Sequence, residues 1–312
     1  MNVYFHNFDP NSNSGPNKFT RQLASSLIDR KRIQIAKTQE EADVEFALIQ
    51  LMRYKKNPTI LRLDGIYFNT TQDFVNQNKP IEYSYKESDC VVFQSQFNKD
   101  LTESWFGVHE NSVVIHNQPD VNFINKINAD YFDTIVDKSI EVWSCASSWR
   151  PHKRLSDNLD YFCQMSPKNS IMFVAGPNPD PLVIKKYSKA SNGRVFYLGE
   201  LDYPRLLSLY KRSSTFVHLA FIDHCPNVVV DAQAAGCKIV CSSSGGTKEI
   251  VKNGIVIKDY DWDFSPIDLY SPPKLKFNDY LIISAEKENL NNIETAADSY
   301  YDAMMRIKNE KI

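Results

Sequence analysis

Two aspartates, Asp223 and Asp231, stand eight positions apart in the stretch "DHCPNVVVD", and both could hydrogen-bond a polar ligand. The segment from Asn227 predicts a helix that ends at Gly236, so Asp231 lies one turn inside the helix on the same face as Asn227. A carboxylate there can accept hydrogen bonds from the vicinal hydroxyls of a ribose. The first amides of the helix, at residues 225–228, can bind a phosphate or a sugar hydroxyl. The spacing therefore indicates a site for a nucleotide or a sugar.

Alternating strand and helix signals place this stretch in an α/β unit of the second half. The apolar run "TFVHLAF" predicts a strand just before Asp223, and "CKIVCSSS" predicts the strand that follows the helix. Further strands are predicted at "IEVWSCASS", "SIMFVAG", "RVFYLG" and "GIVIKD", and further helices over 154–165 and 203–213. Strands that alternate with helices predict a parallel sheet.

The first half shows the same alternation. Phe19, Leu23 and Leu27 recur every four residues and predict an amphipathic helix after a polar loop. Further helices are predicted over 81–88 and 96–106. Strands are predicted at "NVYFHNF", "EFALIQL", "TILRLDG", "DCVVFQS" and "SVVIHN". This half is therefore a second α/β unit.

The fold class expected is α/β, with two Rossmann-like doubly wound domains facing each other across a cleft. Residues 117–138 are rich in Asp and Asn and are typical of a linker. We expect one domain over 1–137, a second domain over 138–289, and a C-terminal helix over 290–312 that can cross back to the first domain or close on the second. Ligands of open α/β sheets bind at the carboxyl ends of the strands.

Bulk composition is that of a folded protein without a global charge bias. The chain has 312 residues, 42% hydrophobic and 24% charged, with a net charge of −2. This balance disfavours nucleic acid as a partner. Six cysteines scattered through a long chain indicate reduced thiols, and neither a targeting signal nor a membrane-spanning apolar run is recognisable. We therefore expect a cytoplasmic protein.

The order of motifs around the two aspartates resembles the signature of the retaining, nucleotide-sugar-dependent glycosyltransferases of family 4 (glycosyltransferase group 1), which have the GT-B fold. Asp223 and Asp231 stand at its two acidic positions, and "AQAAG", "CKIVCSSS" and "GGTKE" follow in its order, with Gly245, Gly246 and Glu249. "CASSWRPHKR" resembles the strand and basic loop that open the second domain of the family. "FVAGP" and "VFYLGELDYPRLLSLYKRSS" resemble the elements that frame the nucleobase.

The resemblance implies roles for residues of the donor site. Lys153, with Arg150, would neutralise the leaving diphosphate, Asp223 would hold hydroxyls of the donor sugar, and Asp231 would hold the ribose. Ser148 stands where the family has an arginine. The other implied donor contacts are Gly199, Glu200, Leu201, His224, Cys225, Pro226, Asn227 and Val228. Fixed cations and a helix N-terminus would stabilise the leaving group without a metal or another cofactor.

In the first domain, the glycine-poor loop "NSNSGPNKF" does not match a dinucleotide fingerprint. The resemblance places Gly15 of this loop close to the donor phosphate and the acceptor. Arg62, Asp64 and Gly65 end the predicted strand "TILRLDG" and are the expected acceptor contacts. No histidine base is assigned, and His116 and His152 are expected to be structural or surface residues.

The expected activity is therefore that of a hexosyltransferase of glycan biosynthesis, with a carbohydrate or glycolipid as acceptor. Both acidic positions of the motif are usually Glu in the family, and Asp is shorter by about 1.5 Å. This change keeps a donor-binding protein without transfer as one alternative. A nucleotide-sugar epimerase or hydrolase of the same fold is another.

Two further features have alternative interpretations. Cys237 and Cys241 lie about 13 Å apart on a strand, too far for one zinc ion. The segment "DYDWD" (259–263) resembles a metal-binding Asp-x-Asp, but it follows the last predicted strand and is interpreted as a charged loop. Basic segments at 29–32 and 53–56 leave peripheral membrane contact open if the acceptor is a lipid.

Overall fold

The computed structural model describes residues 1–12, 14–284 and 292–310. Up to Asp120, the strands and α-helices are β1 (Asn2–His6), α1 (Gly15–Asp29), β2 (Gln34–Ile35), β3 (Val44–Leu48), β4 (Thr59–Leu63), α2 (Phe74–Glu87), β5 (Cys90–Phe93), α3 (Gln96–Phe106) and β6 (Ser112–Val114). From Val121 they are α4 (Val121–Lys126), α5 (Asp130–Asp133), β7 (Glu141–Ala146), α6 (Leu155–Met165), β8 (Ser170–Ala175), α7 (Pro181–Ala190), β9 (Val195–Tyr197), α8 (Tyr203–Arg212), β10 (Thr215–His218), α9 (Asn227–Ala234), β11 (Lys238–Ser242), α10 (Thr247–Ile250), β12 (Asn253–Ile257), β13 (Tyr280–Ser284) and α11 (Ile293–Glu310). Short 3₁₀ helices lie at Gln39–Glu41 and Pro151–Lys153.

The chain divides into two compact units. The first comprises Met1–Asp120, Phe264–Ile267 and Asn291–Ile312, and the second comprises Val121–Asp263 and Asp268–Leu290. The segment 121–137, assigned to the first domain from sequence, lies in the second unit because Ile124, Phe132 and Val136 belong to its core. The boundary expected at 289/290 lies outside the described residues.

In the described part of the first unit, a parallel sheet has the strand order β2-β1-β3-β4-β5-β6. β3 and β4 lie in the middle, and each is buried along its whole length, as expected for strands covered on both faces. Helix α11 packs against α1 in this unit, with Tyr300 between Phe19 and Phe46. Helix α11 therefore completes the core of the first unit.

In the described part of the second unit, the strand order is β13-β12-β11-β10-β7-β8-β9. The strands are parallel except β13, which runs antiparallel to β12. Alternate residues of β7 enter different cores: Val142 and Ala146 pack with α8 and α9, whereas Trp143 and Cys145 pack with α6 and α7. Helices therefore cover both faces, and the α/β class with two parallel-sheet domains is confirmed.

The strand order of the second sheet reverses between β7 and β10. From β7 the chain moves outward through β8 to β9, and from β10 it moves outward in the opposite direction through β11 to β12. The loops that follow β7 and β10 therefore leave the same edge of the sheet in opposite directions. In open α/β sheets the crevice at such a reversal is the usual ligand site.

Candidate functional site

The carboxyl edge of the second sheet brings Lys153 and Asp223 together at the strand reversal. Lys153 ends the 3₁₀ helix that follows β7, and Asp223 lies in the loop that follows β10. The Nζ atom of Lys153 lies 2.5 Å from Oδ2 of Asp223, and both side chains are partly exposed, at 18% and 15%. Two residues that are 70 positions apart in sequence thus form one charged pair.

His218, the last residue of β10, is the third member of this cluster. Its Nε2 atom lies 2.9 Å from the same Oδ2 of Asp223, and the residue is 4% exposed. The other carboxylate oxygen, Oδ1, accepts a hydrogen bond of 3.1 Å from the backbone amide of His224. Sequence analysis missed His218, because only the strand register shows that a residue five positions before Asp223 points at its carboxylate.

The charges of this cluster follow from its contacts. Burial would raise the pKa of Asp223, but the Lys153 ammonium and the His218 hydrogen bond outweigh burial and hold that pKa well below its usual value. Burial lowers the pKa of His218, and the hydrogen bond to Asp223 offsets only part of this effect. At neutral pH, Asp223 is therefore ionised and His218 is neutral, so Nε2 of His218 donates to the carboxylate.

The Gly-Gly turn of the sequence motif packs directly on the backbone of Asp223. Asp223 and Gly245 form a parallel β-bridge, and the amide of Gly246 donates to the carbonyl oxygen of Asp223 over 2.8 Å. Gly245 has a φ of +82°, and a Cβ atom there would lie 2.3 Å from that carbonyl oxygen. Only glycine fits this close approach, so the turn fixes the backbone position of Asp223.

Helix α9 begins at this same edge. It starts at Asn227, and its N-cap residue is Pro226, whose side chain makes no capping hydrogen bond. The positive end of the helix dipole therefore lies at the carboxyl edge, beside the loop that carries Asp223. Of the residues expected to bind the donor here, His224, Asn227 and Val228 are half-buried, whereas Cys225 and Pro226 are buried.

Asp231 lies one turn inside α9, as expected from sequence, but it is only 5% exposed. It faces the core near Tyr210, whose pKa is raised by burial and further by the charge of Asp231. The expected ribose contact of Asp231 stays a prediction.

The residues expected to frame the nucleobase follow β8 and β9 at the same edge. The amide of Gly176 donates to the carbonyl oxygen of Gly199 over 2.8 Å, which ties the two loops together. Gly199 has a φ of +75°, Glu200 is exposed, and Leu201 is half-buried. Since β8 and β9 are neighbours on one side of β7, these loops lie on that side of the Lys153–Asp223 pair.

Ser148 and Arg150, in the loop after β7, are both exposed. The side chain of Arg150 borders a cavity of about 370 Å³ that is also lined by Trp149, Asn178 and Tyr270. Arg150 lies three residues before Lys153 in the chain. Because Arg150 is exposed, an anion can reach it.

A buried ion pair between Arg154 and Asp259 lies next to the site. It corrects one interpretation made from the sequence. Asp259, interpreted there as part of a charged loop, is 2% exposed in its side chain and forms two hydrogen bonds with Arg154, of 2.6 and 3.1 Å. Asp259 also accepts a hydrogen bond of 2.6 Å from Ser244, the residue before Gly245. The ion pair thus links the residue after Lys153 to the turn that supports Asp223. The sequence signal for this pair was an aspartate two residues after the end of a strand.

The acceptor residues expected from sequence lie in the first unit, at the carboxyl end of β4. Arg62 is 1% exposed, and its guanidinium donates to the carboxylate of Asp64 and, over 2.8 Å, to Asn117. Asp64 and Gly65 are half-buried. The side chain of Arg62 is enclosed, and its guanidinium helps to hold Asp64 and Asn117 in position. Gly15, also in this unit, is the exposed first residue of α1.

Within the described residues, no group of three or more His, Cys, Asp or Glu side chains is placed to hold a metal ion. Cys237 is instead buried and donates to the carbonyl oxygen of Tyr210. A search of the same residues for membrane-spanning helices also found none that is long and apolar enough.

One family model matches part of the second unit. Residues 142–264 match the model of the family described as "Glycosyl transferases group 1". Over these residues the second unit is similar to the group 1 glycosyl transferases. The match spans β7 to β12 and thus contains Lys153, Asp223, Asp231 and the Gly-Gly turn. The resemblance to group 1 glycosyltransferases that the motifs indicated is confirmed over the matched residues.

Solved structures extend the likeness to the whole chain. HepE from Anabaena, solved in complex with UDP and glucose, is 13% identical with a TM-score of 0.63, over 100% of this chain and 98% of that one. Sucrose-phosphate synthase from Thermosynechococcus elongatus is 10% identical with a TM-score of 0.67, over 100% and 97%. AviGT4, a glycosyltransferase involved in avilamycin A biosynthesis, is 16% identical with a TM-score of 0.63, over 99% and 98%.

These likenesses establish the fold of the chain as that of the GT-B glycosyltransferases. A search of curated proteins gave no match.

Proposed function

We infer that the chain is a retaining glycosyltransferase, which moves a hexose from a nucleotide-diphosphate sugar to a hydroxyl group of a carbohydrate or glycolipid. The observation that carries this proposal is the meeting of Lys153 and Asp223 at the reversal of strand order in a unit similar to the group 1 glycosyl transferases. A cation and a carboxylate side by side suit a ligand that carries both phosphate and hydroxyl groups.

The cations of the site act on the leaving group. Breaking the anomeric bond leaves a nucleoside diphosphate, whose growing negative charge must be stabilised in the transition state. Lys153 and the exposed Arg150 supply two positive charges, and the N-terminus of α9 supplies a partial one. These groups need no metal ion, so we expect activity in the presence of EDTA.

The remaining donor contacts are proposed from the family resemblance. Asp223 accepts hydrogen bonds from hydroxyls of the donor sugar, and Asp231 binds the ribose. Backbone groups of residues 199–201 bind the nucleobase, while the loop at 224–228 borders the sugar and phosphates. Asp64 and Gly65 of the first unit contact the acceptor, and Arg62 positions Asp64.

Retention at the anomeric carbon follows if the leaving diphosphate takes the proton of the acceptor hydroxyl on the same face of the sugar. The acceptor oxygen then forms its bond to the anomeric carbon on the face that the diphosphate leaves. The acceptor proton ends on the diphosphate, so no protein base is needed for this step.

Uridine-diphosphate sugars are the first donors to test, because HepE was solved with UDP and with UDP-glucose. The six cysteines are free thiols, and five of them are buried. Free thiols suit a reducing compartment, which supports a cytoplasmic location.

The test is proton NMR of reactions containing UDP-glucose, GDP-mannose or ADP-glucose, a panel of sugar and glycolipid acceptors, and EDTA. We expect a new glycosidic anomeric signal with the same configuration as the donor. An inverted signal would contradict retention. Free sugar or an epimerised donor without acceptor would identify a hydrolase or an epimerase, and binding without turnover would identify a donor-binding protein.

A further inference from the structure

His218 has a geometry that the proposed reaction does not yet explain. It is a nearly enclosed imidazole whose Nε2 donates to Oδ2 of Asp223 over 2.9 Å. The same Oδ2 atom accepts from the ammonium of Lys153, so one carboxylate oxygen serves a cation and a neutral ring together. A change in the charge or position of one of these three side chains therefore changes the electrostatic environment of the other two.

In the structure described here, Lys153 and Asp223 neutralise each other. A bound nucleotide-diphosphate sugar adds two negative charges on its phosphates and attracts Lys153. Asp223 then keeps its charge while the ammonium beside it moves toward the phosphates. Lys153 and His218 both contact Oδ2 of Asp223. When Lys153 moves away, His218 can gain a positive charge near neutral pH.

We propose that His218 takes up one proton when a nucleotide-diphosphate sugar binds beside Lys153, and that the resulting imidazolium holds Asp223 in position. This proposal rests on the proposed donor site. The proton comes from the solvent and adds to Nδ1, while Nε2 keeps its proton and its hydrogen bond to Asp223. No bond of the donor breaks in this step, so His218 is a positioning residue and not a catalytic one.

The groups around His218 agree with this assignment. Burial and the charge of Lys153 both lower the pKa of His218, whereas Asp223 raises it. Removing the ammonium from Asp223 and adding phosphate charge nearby both act to raise this pKa toward neutrality.

The other titratable groups near His218 do not take up this proton. Cys241 lies opposite His218 on the neighbouring strand β11, and burial raises the pKa of its thiol to about 12, so it stays neutral. His152, before Lys153, has a pKa lowered to about 3 by burial and by the charge of Lys153. A proton taken up near neutral pH therefore goes to His218 rather than to His152.

Titration calorimetry tests the proposal directly. UDP-glucose, GDP-mannose and ADP-glucose are titrated into the full chain at pH 7 in buffers of different ionisation enthalpy, with EDTA present. The diphosphate diester of these donors has no proton to exchange near neutral pH, so any proton uptake belongs to the protein. We expect uptake of about half a proton or more per donor bound, increasing from pH 8 to pH 6.

The variants His218→Gln and His218→Asn should bind the donor with proton uptake near zero and with weaker affinity at pH 6.5 than the wild type. His109→Gln, in the first unit, is the matched control and should keep the wild-type uptake. Either substitution at position 218 is sufficient if the other fails to fold. Because uptake is also measured on the wild type, the proposal stays testable if both variants fail.

Donor binding without proton uptake, or uptake that persists in a folded variant at position 218, would overturn the proposal and leave the donor site intact. Failure of every nucleotide sugar to bind the folded wild type would instead overturn the donor site, and this inference with it.

Discussion

At the scale of single residues, the site depends on close approaches that only one residue type permits. Gly245 lies against the backbone of Asp223, and Gly176 lies against Ser147, where a Cβ atom would come within 2.3 and 2.0 Å of a carbonyl oxygen. Both glycines also have positive φ values. Glycine is therefore required at both positions for steric as well as conformational reasons.

Substitution of Gly245 separates these two effects. Gly193→Ala is the control, because Gly193 has a similar φ of +79° but no atom within 4 Å of the added Cβ. We expect Gly193→Ala to cost about 1 kcal/mol of stability, and Gly245→Ala to cost at least about 2 kcal/mol more and to weaken donor binding. Thermal unfolding and calorimetric titration measure both effects. Equal losses in the two variants would contradict the steric argument.

His152 predicts how stability responds to acid. Its pKa of about 3 lies below the value of about 6.5 expected when it is unfolded. Its contribution to stability is therefore complete above pH 6.5 and is lost as the pH falls toward 3, by up to about 1.4 kcal/mol per pH unit. The phenylalanine of His152→Phe can still stack on Tyr270. Between pH 7.5 and 4.5, the melting temperature of this variant should fall less than that of the wild type. Parallel pH curves would contradict this account.

From sequence, site residues could be proposed where chemistry and spacing coincide, and their roles stay predictions. Asp223 and Lys153 were identified from their motifs, and the structure places them in contact. His218 and Arg154 were missed, and Asp259 was interpreted as part of a charged loop, because their contacts depend on side chains brought together by the sheet. A buried histidine and a buried arginine look like ordinary strand and loop residues in sequence.

At the scale of elements, the Arg154–Asp259 pair holds three strand ends together. Arg154 follows the 3₁₀ helix after β7, Asp259 follows β12, and Ser244, bonded to Asp259, follows β11. Arg154 also donates to the carbonyl oxygen of Pro273 over 2.6 Å. The charges are buried but hydrogen-bonded, which is the condition under which a buried pair is tolerated.

Breaking this pair should be costly. Asp259→Asn leaves the Arg154 charge buried without its counter-ion, and we expect a loss of about 3 kcal/mol or more. Asp279→Asn, which removes an exposed pair with Lys258 one strand away, is the control and should cost less than about 1 kcal/mol. Thermal unfolding compares them, and a similar small loss in both variants would contradict a supporting role for Asp259.

Element prediction failed at identifiable places. Helix α7 was missed because "PNPDP" reads as a loop, although Asp180 caps the helix and Pro181 occupies its first turn. Helix α2 was expected from 81 but begins at Phe74, where Asp73 caps it, and it contains Pro80. Strand β13 was missed because, among the described residues, it pairs with β12, 23 or more residues earlier in the chain.

At the scale of the whole molecule, each unit has its own core, and the last described helix belongs to the first unit. The α/β class and the presence of two sheets could be predicted from alternation alone, because parallel strands need helical crossovers. The return of α11 was left undecided by sequence, since its apolar face could cover either sheet. Its contact with α1 settles the matter.

Removal of the Tyr300 side chain tests the role of α11. Tyr300 is fully buried against Phe19 and Phe46, so Tyr300→Ala should destabilise the first unit by about 3–5 kcal/mol. Tyr301→Ala, at the half-buried neighbouring position, is the control and should cost less. Thermal unfolding should show the larger shift for Tyr300→Ala, and equal shifts would contradict a core role for α11.

The central claim is a metal-independent donor site at Lys153 and Asp223. The most direct measurement is calorimetric titration of UDP-glucose, with GDP-mannose and ADP-glucose in parallel, into wild type, Lys153→Met and Lys168→Met in the presence of EDTA. Lys168 is an exposed lysine near the amino end of β8, at the opposite edge of the same sheet. We expect one of the donors to bind the wild type and Lys168→Met equally, and to bind Lys153→Met at least about tenfold more weakly. Equal binding to all three proteins, or binding to none of them when folded, would contradict the claim.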